Sequence, residues 1–110
     1  MTALEKELEA DLLEICEKCK SIGYRPNYFK RMLVCSNPRY VKGPVGAVRH
    51  LMDGAAHPQS GFARLTKANR IEWTVEWLIT HEPKYEPLFN SSDWVLKNAK
   101  ARIRSVQNSN

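Results

Sequence analysis

At 110 residues, with 43% hydrophobic and 26% charged side chains, the chain is long enough for one domain around a single apolar core and too apolar to be mostly disordered. Its formal net charge of +5 is unevenly placed: residues 1–17 carry −5, residues 18–52 carry +8 without one Asp or Glu, and residues 53–110 carry +2. No apolar run approaches the roughly 20 residues that span a bilayer, and the acidic start lacks the basic-then-apolar order of a secretory signal, so a cytoplasmic protein with no membrane contact is expected.

Leu4, Leu8, Leu12, Ile15, Cys19 and Ile22 recur at intervals of 4, 4, 3, 4 and 3. That is the stripe of an amphipathic helix, predicted over residues 3–21 and ended by Gly23. Its acids crowd the first two thirds while Lys18 and Lys20 fall in the last turn, the order that opposes the helix dipole. Pro26 has φ already set and no amide to lose, which predicts a second, short helix over 26–35 that buries Phe29, Met32 and Leu33 before Asn37-Pro38 stops it. Pro44 repeats the signal for a third helix, with Val45, Val48, Leu51 and Met52 on one face and Gly54 as its stop. Residues 54–59 read as a loop, Ser60 as the cap of a fourth helix over 61–68 carrying Phe62 and Leu65, and Asn69 as the left-handed turn that ends it.

A fifth helix is expected to show Ile71, Val75, Leu78 and Ile79 on one face and Trp73 with Trp77 on a second, the mark of a central helix. From His81 to Phe89, Pro83 and Pro87 predict an ordered loop or broken turn that packs Tyr85, Leu88 and Phe89. Asn90, with Asp93 three later, imitates a capping box for a last helix burying Val95, Ala99, Ile103 and Val106. The whole reads as an all-α bundle of about five or six short helices without a sheet. It forms one domain over residues 1–106, with 107–110 as a frayed tail.

Three stretches occur in a recognisable order: Gly23-Tyr24-Arg25-Pro26 with Phe29 and Met32, then Gly61-Phe62 with Leu65 and Thr74-Val75-Glu76, then Leu88-Phe89 before Ala101-Arg102-Ile103. Over most of residues 22–104 this resembles a small helical module of uncharacterised bacterial proteins. The pattern departs from the module at Trp73, at Asn90 and in the connection 36–43. The resemblance implies an all-α bundle of bacterial or phage origin and transfers no activity and no catalytic residue.

Several constellations invite a chemical reading. Cys16 and Cys19 form a C-x-x-C that Cys35 and one of His50, His57 or His81 would complete as a zinc site. Both fall on or beside the apolar stripe of a helix, however, where thiols pack as small hydrophobes, and three cysteines without an export signal fit reduced thiols. Leu65 to Leu78 imitates a helix-turn-helix, but Leu65 and Arg70 stand where a small and an apolar residue belong, and Glu72 and Glu76 would oppose a phosphate backbone. Gly43-Pro44-Val45-Gly46 copies the Gly-x-x-Gly loop of KH domains without the sheet they need. No nucleophile, base and orienting group stand at a known spacing, so no enzyme, cofactor or metal is expected.

Two binding surfaces remain. In the acid-free run, Arg25, Lys30, Arg31, Arg39, Lys42 and Arg49 are candidates to contact phosphates or an acidic protein surface, with Tyr24, Tyr28 or Tyr40 stacking on bases. The competing expectation is that these cations solvate helices or pair with the acids of the first helix while the aromatics enter the core. The second surface is an exposed Trp73 and Trp77 face flanked by Glu72 and Glu76, suited to self-association or to docking on a larger bacterial assembly.

Overall fold

The side-chain oxygen of Thr2 accepts the Glu5 amide at 3.1 Å and opens helix α1, Ala3–Lys20, in a computed structural model that describes residues 1–35, 37–53, 60–90 and 93–108. Leu8, Leu12, Cys16 and Cys19 are its buried positions. Gly23, at φ 78°, closes it by letting the Gly23 and Tyr24 amides reach the carbonyls of Lys20 and Cys19, each at 3.0 Å.

Helix α2, Asn27–Leu33, buries Phe29, Met32 and Leu33, and α3, Gly43–Met52, starts with Pro44 in its first turn. The two run antiparallel: the Lys42 amide donates to the Met32 carbonyl at 2.8 Å at one end, and the Tyr28 ring lies 6.0 Å from that of His50 at the other. The Gly-x-x-Gly segment is therefore the first turn of a helix. Helix α4, Ser60–Lys67, buries Phe62 and Leu65 and ends at Asn69, which takes the expected left-handed geometry at φ 62°. The expected stop at Gly54 and the loop over 54–59, including His57, lie outside the described residues.

The fifth helix departs from expectation. A 3₁₀ turn, Ile71–Trp73, is followed by Thr74 in extended geometry, and α5 begins only at Val75–His81. Thr74 causes the break: its hydroxyl donates to the Ile71 carbonyl at 2.7 Å and accepts the Trp77 amide at 3.1 Å. One side chain thus closes the turn behind it and caps the helix ahead of it. Trp73 and Trp77 consequently belong to different elements. This break also delays the second helix of the would-be helix-turn-helix by a full turn.

Pro83–Phe89 forms a 3₁₀ segment, the broken turn of the two expectations, with Pro83 at its start and Pro87 inside it without an amide to donate, and it buries Tyr85 and Phe89 completely. Asn90 ends that segment in helical geometry, φ −60° and ψ −34°, not in the extended geometry of the expected cap; residues 91–92 lie outside the described residues. Helix α6, Asp93–Asn108, runs two residues into the expected tail.

The core joins every element from α1 to α6 except α4 and the Ile71–Trp73 turn: Leu8 and Leu12, Met32 and Leu33, Val48 and Met52, Val75 and Ile79, Tyr85 and Phe89, Val95 and Ala99. The fold is an all-α bundle. Among the described residues there is no strand, and no helix is long and apolar enough to cross a membrane.

Candidate functional site

The acids of α1 are largely committed elsewhere. Glu7 takes Lys84 at 2.8 Å, the Asp11 carboxylate accepts the buried Tyr85 hydroxyl, and Glu14 takes Lys18 at 3.7 Å. Glu17 holds Lys20 at 3.0 Å and Lys30 at 3.7 Å. Its carboxyl is lowered from the usual range by the hydrogen bond from Lys20 and the charges of both lysines. Among the candidate cations, Lys30 is drawn onto α1.

Arg25, Arg31, Arg39 and Lys42 are exposed and form no ion pair among the described residues, while Arg49 is half-buried on α3. The antiparallel hairpin sorts them into two groups. Arg31, Arg39 and Lys42 gather where α2 ends and α3 begins, because the Lys42 amide is tied to the Met32 carbonyl beside Arg31. Arg39 sits on a turn in which the Asn37 side chain accepts the Arg39 amide at 3.0 Å and the Asn37 carbonyl accepts that of Tyr40 at 3.1 Å. Arg25 and Arg49 lie at the opposite end, on the order of 10 Å away along the seven residues of α2.

The aromatics of the run divide as well. Phe29 enters the core, Tyr24 is half-buried under the Arg64 guanidinium at 5.0 Å, but Tyr28 and Tyr40 are 60% and 52% exposed. Val34, after the end of α2, and Val41, next to Tyr40 in the chain, are exposed as well. The tip of the hairpin therefore presents cations interleaved with apolar and aromatic surface, where the competing expectation placed the tyrosines inside.

The tryptophan surface is smaller than expected. Glu72 is exposed, but Glu76 is only 2% exposed and cannot flank an outer face. Its Oε2 accepts Arg102 Nη1 at 3.1 Å, and the same nitrogen donates to the Leu51 carbonyl at 3.0 Å. Burial pushes the Glu76 carboxyl up, and the Arg102 charge and hydrogen bond partly offset this. Asn98 donates to the Met52 carbonyl at 2.8 Å, so two polar residues of α6 satisfy the final carbonyls of α3, which no residue of α3 itself reaches. Trp77 stacks on His81 with ring centroids 3.7 Å apart, and Trp73 lies under Arg70 at 5.2 Å; both are half-buried.

Sequence reasoning missed the Glu76–Arg102 pair. One signal was available: Val95, Asn98, Ala99, Arg102, Ile103 and Val106 step by 3, 1, 3, 1 and 3, which places two polar residues inside the apolar stripe of α6.

A cavity of about 310 Å³ lies above this pair, walled by α1, α2, α4 and the Ile71–Trp73 turn, with Phe62, Leu65, Trp73 and Met32 among its lining. A dry void of that size costs roughly 24 cal/mol per Å³, about 7 kcal/mol. Arg25 and Asn27 line it and are exposed, so they mark a mouth through which solvent reaches the interior and relieves that cost. Gly61 stands in its wall close to Tyr24: a Cβ there would lie 2.6 Å from the Tyr24 hydroxyl and push that ring aside. Cys16 and Cys19 line the cavity as packed thiols, the first pushed up to about 11 and the second also raised, both chiefly by burial. Among the described residues no group of three or more His, Cys, Asp or Glu is placed to hold a metal. Compared with known proteins, the chain matches no family model, no curated protein and no solved structure.

Proposed function

We propose that the protein is a non-catalytic binding module that holds single-stranded nucleic acid at the tip of the α2–α3 hairpin. One observation carries this reading: Arg31, Arg39 and Lys42, exposed and without ion pairs among the described residues, surround an exposed Tyr40 in a segment that has no acid. Cations of this kind contact phosphates, and an exposed tyrosine offers a base a stacking surface without requiring a particular sequence. Duplex gives its bases no comparable access to Tyr40. The half-buried tryptophans support a second reading, self-association or docking onto a larger bacterial assembly, with Glu72 at its edge.

Fluorescence anisotropy with a labelled mixed-sequence single strand tests the first reading. With three phosphate contacts, log K falls against log salt with a slope of about −2, and Arg39→Ala with Lys42→Ala removes about 1.4 of it. Tyr40→Ala weakens binding by about 1–3 kcal/mol at fixed salt without changing the slope. Absence of binding at low salt ends the nucleic-acid reading. A solution mass above 12.7 kDa that returns to the monomer value in Trp77→Ala would favour the second instead.

A further inference from the structure

The cavity has a consistent polarity. Its lining is largely aromatic and aliphatic, and Tyr24, Asn27 and Trp73 are among the lining residues that carry a polar group. Of the lining residues, Arg102 carries a buried side-chain donor, Nη2, with no hydrogen-bond partner among the described residues. Among the described residues the one acid in the lining is Glu76, which is paired with Arg102 and has no charge to spare for a ligand cation. At the mouth stands Arg25, exposed and without an ion pair among the described residues.

Apolar walls, a buried unpartnered guanidinium nitrogen and, among the described residues, one exposed cation without an ion pair at the opening favour an amphipathic anion. We infer that the cavity is a binding site for a small aromatic carboxylate, its ring lodged between Phe62, Leu65 and Trp73 and its charge held at the mouth by Arg25. A ligand cation would meet Arg25 at the opening and find no unpaired acid inside. A neutral ring would gain the walls but forgo Arg25. The site is independent of the proposed nucleic-acid surface, because Arg31, Arg39, Lys42 and Tyr40 do not line it.

The test uses 3-phenylpropionate, its neutral amide 3-phenylpropionamide, and acetate. Titration is followed by calorimetry and by the indole N–H resonance of Trp73. Phenylpropionate is expected to saturate and shift that resonance, with the amide and acetate each at least tenfold weaker. Arg25→Gln, on an exposed position where folding is not at stake, should weaken phenylpropionate tenfold or more. Cys19→Leu places extra side-chain volume into the cavity wall and should abolish binding in a variant that remains folded. Arg39→Ala with Lys42→Ala should leave binding unchanged, which separates this site from the hairpin tip. Equal affinity for acid and amide, or full affinity in Arg25→Gln, overturns the carboxylate assignment; full affinity in a folded Cys19→Leu overturns the location.

Discussion

Glu76 and Arg102 are 2% and 7% exposed and meet at 3.1 Å, so each neutralises a charge that the interior would otherwise hold alone. Glu76→Gln keeps the shape and an acceptor oxygen but leaves the guanidinium uncompensated. Removing one partner of such a pair costs about 3–5 kcal/mol. Arg102→Met should stand at the upper end of that range, because Nη1 serves both Glu76 and the Leu51 carbonyl, and its loss strands a buried carboxylate and a helix-end acceptor together. The double variant Glu76→Leu with Arg102→Met removes both charges and retains only the Leu51 loss, about 1–2 kcal/mol. Urea unfolding at pH 7, with the m-value held constant across the series, measures all three. In Arg102→Met the Glu76 carboxyl, already raised by burial, rises further. The folded state then binds a proton that the unfolded state releases, so stability increases as pH falls through the window between the unfolded and folded values. A Glu76→Gln loss below about 1 kcal/mol, or a double-variant loss equal to the sum of the singles, refutes the reasoning.

Three further outcomes are expected. Because burial lifts the Cys16 thiol to about 11, about one molecule in a thousand carries its thiolate at pH 8; a disulfide reagent should label half-buried Cys35 first and reach Cys16 and Cys19 only on unfolding. Thr74→Ala removes the cap of α5 and the closure of the preceding turn, with an expected loss of about 1–2 kcal/mol in urea unfolding, and Thr74→Ser should recover most of it. Tyr85 is raised far above the ordinary phenol range by burial and by its bond to Asp11. Its stabilisation is thus present below the unfolded phenol value and fades as pH rises past about 10. Absorbance at 295 nm should therefore show Tyr85 ionising only with unfolding, and Tyr85→Phe should remove that coupled step.

Local rules made much of the bundle legible before any coordinates. The α1 stripe, the prolines opening α2 and α3 and the turn at Asn69 are decided by side-chain periodicity and backbone geometry within a few residues. The break at Thr74 was hidden because a threonine inside an apolar pattern reads as a helical position until its hydroxyl is seen closing one turn and capping the next.

The acid-free run shows the same division. Its composition alone established a one-sign segment containing Arg25, Lys30, Arg31, Arg39, Lys42 and Arg49. Which of those charges α1 would claim, and on which side of the hairpin the others would gather, depended on pairings between residues far apart in the chain, such as Lys30 with Glu17 and Lys42 with Met32. Likewise, the sequence by itself assigned Glu76 and Arg102 to helices but not to the interior. Burial of a charge becomes tolerable only when a partner arrives from another element, and that meeting of α5 with α6 beneath the cavity belongs to the tertiary structure.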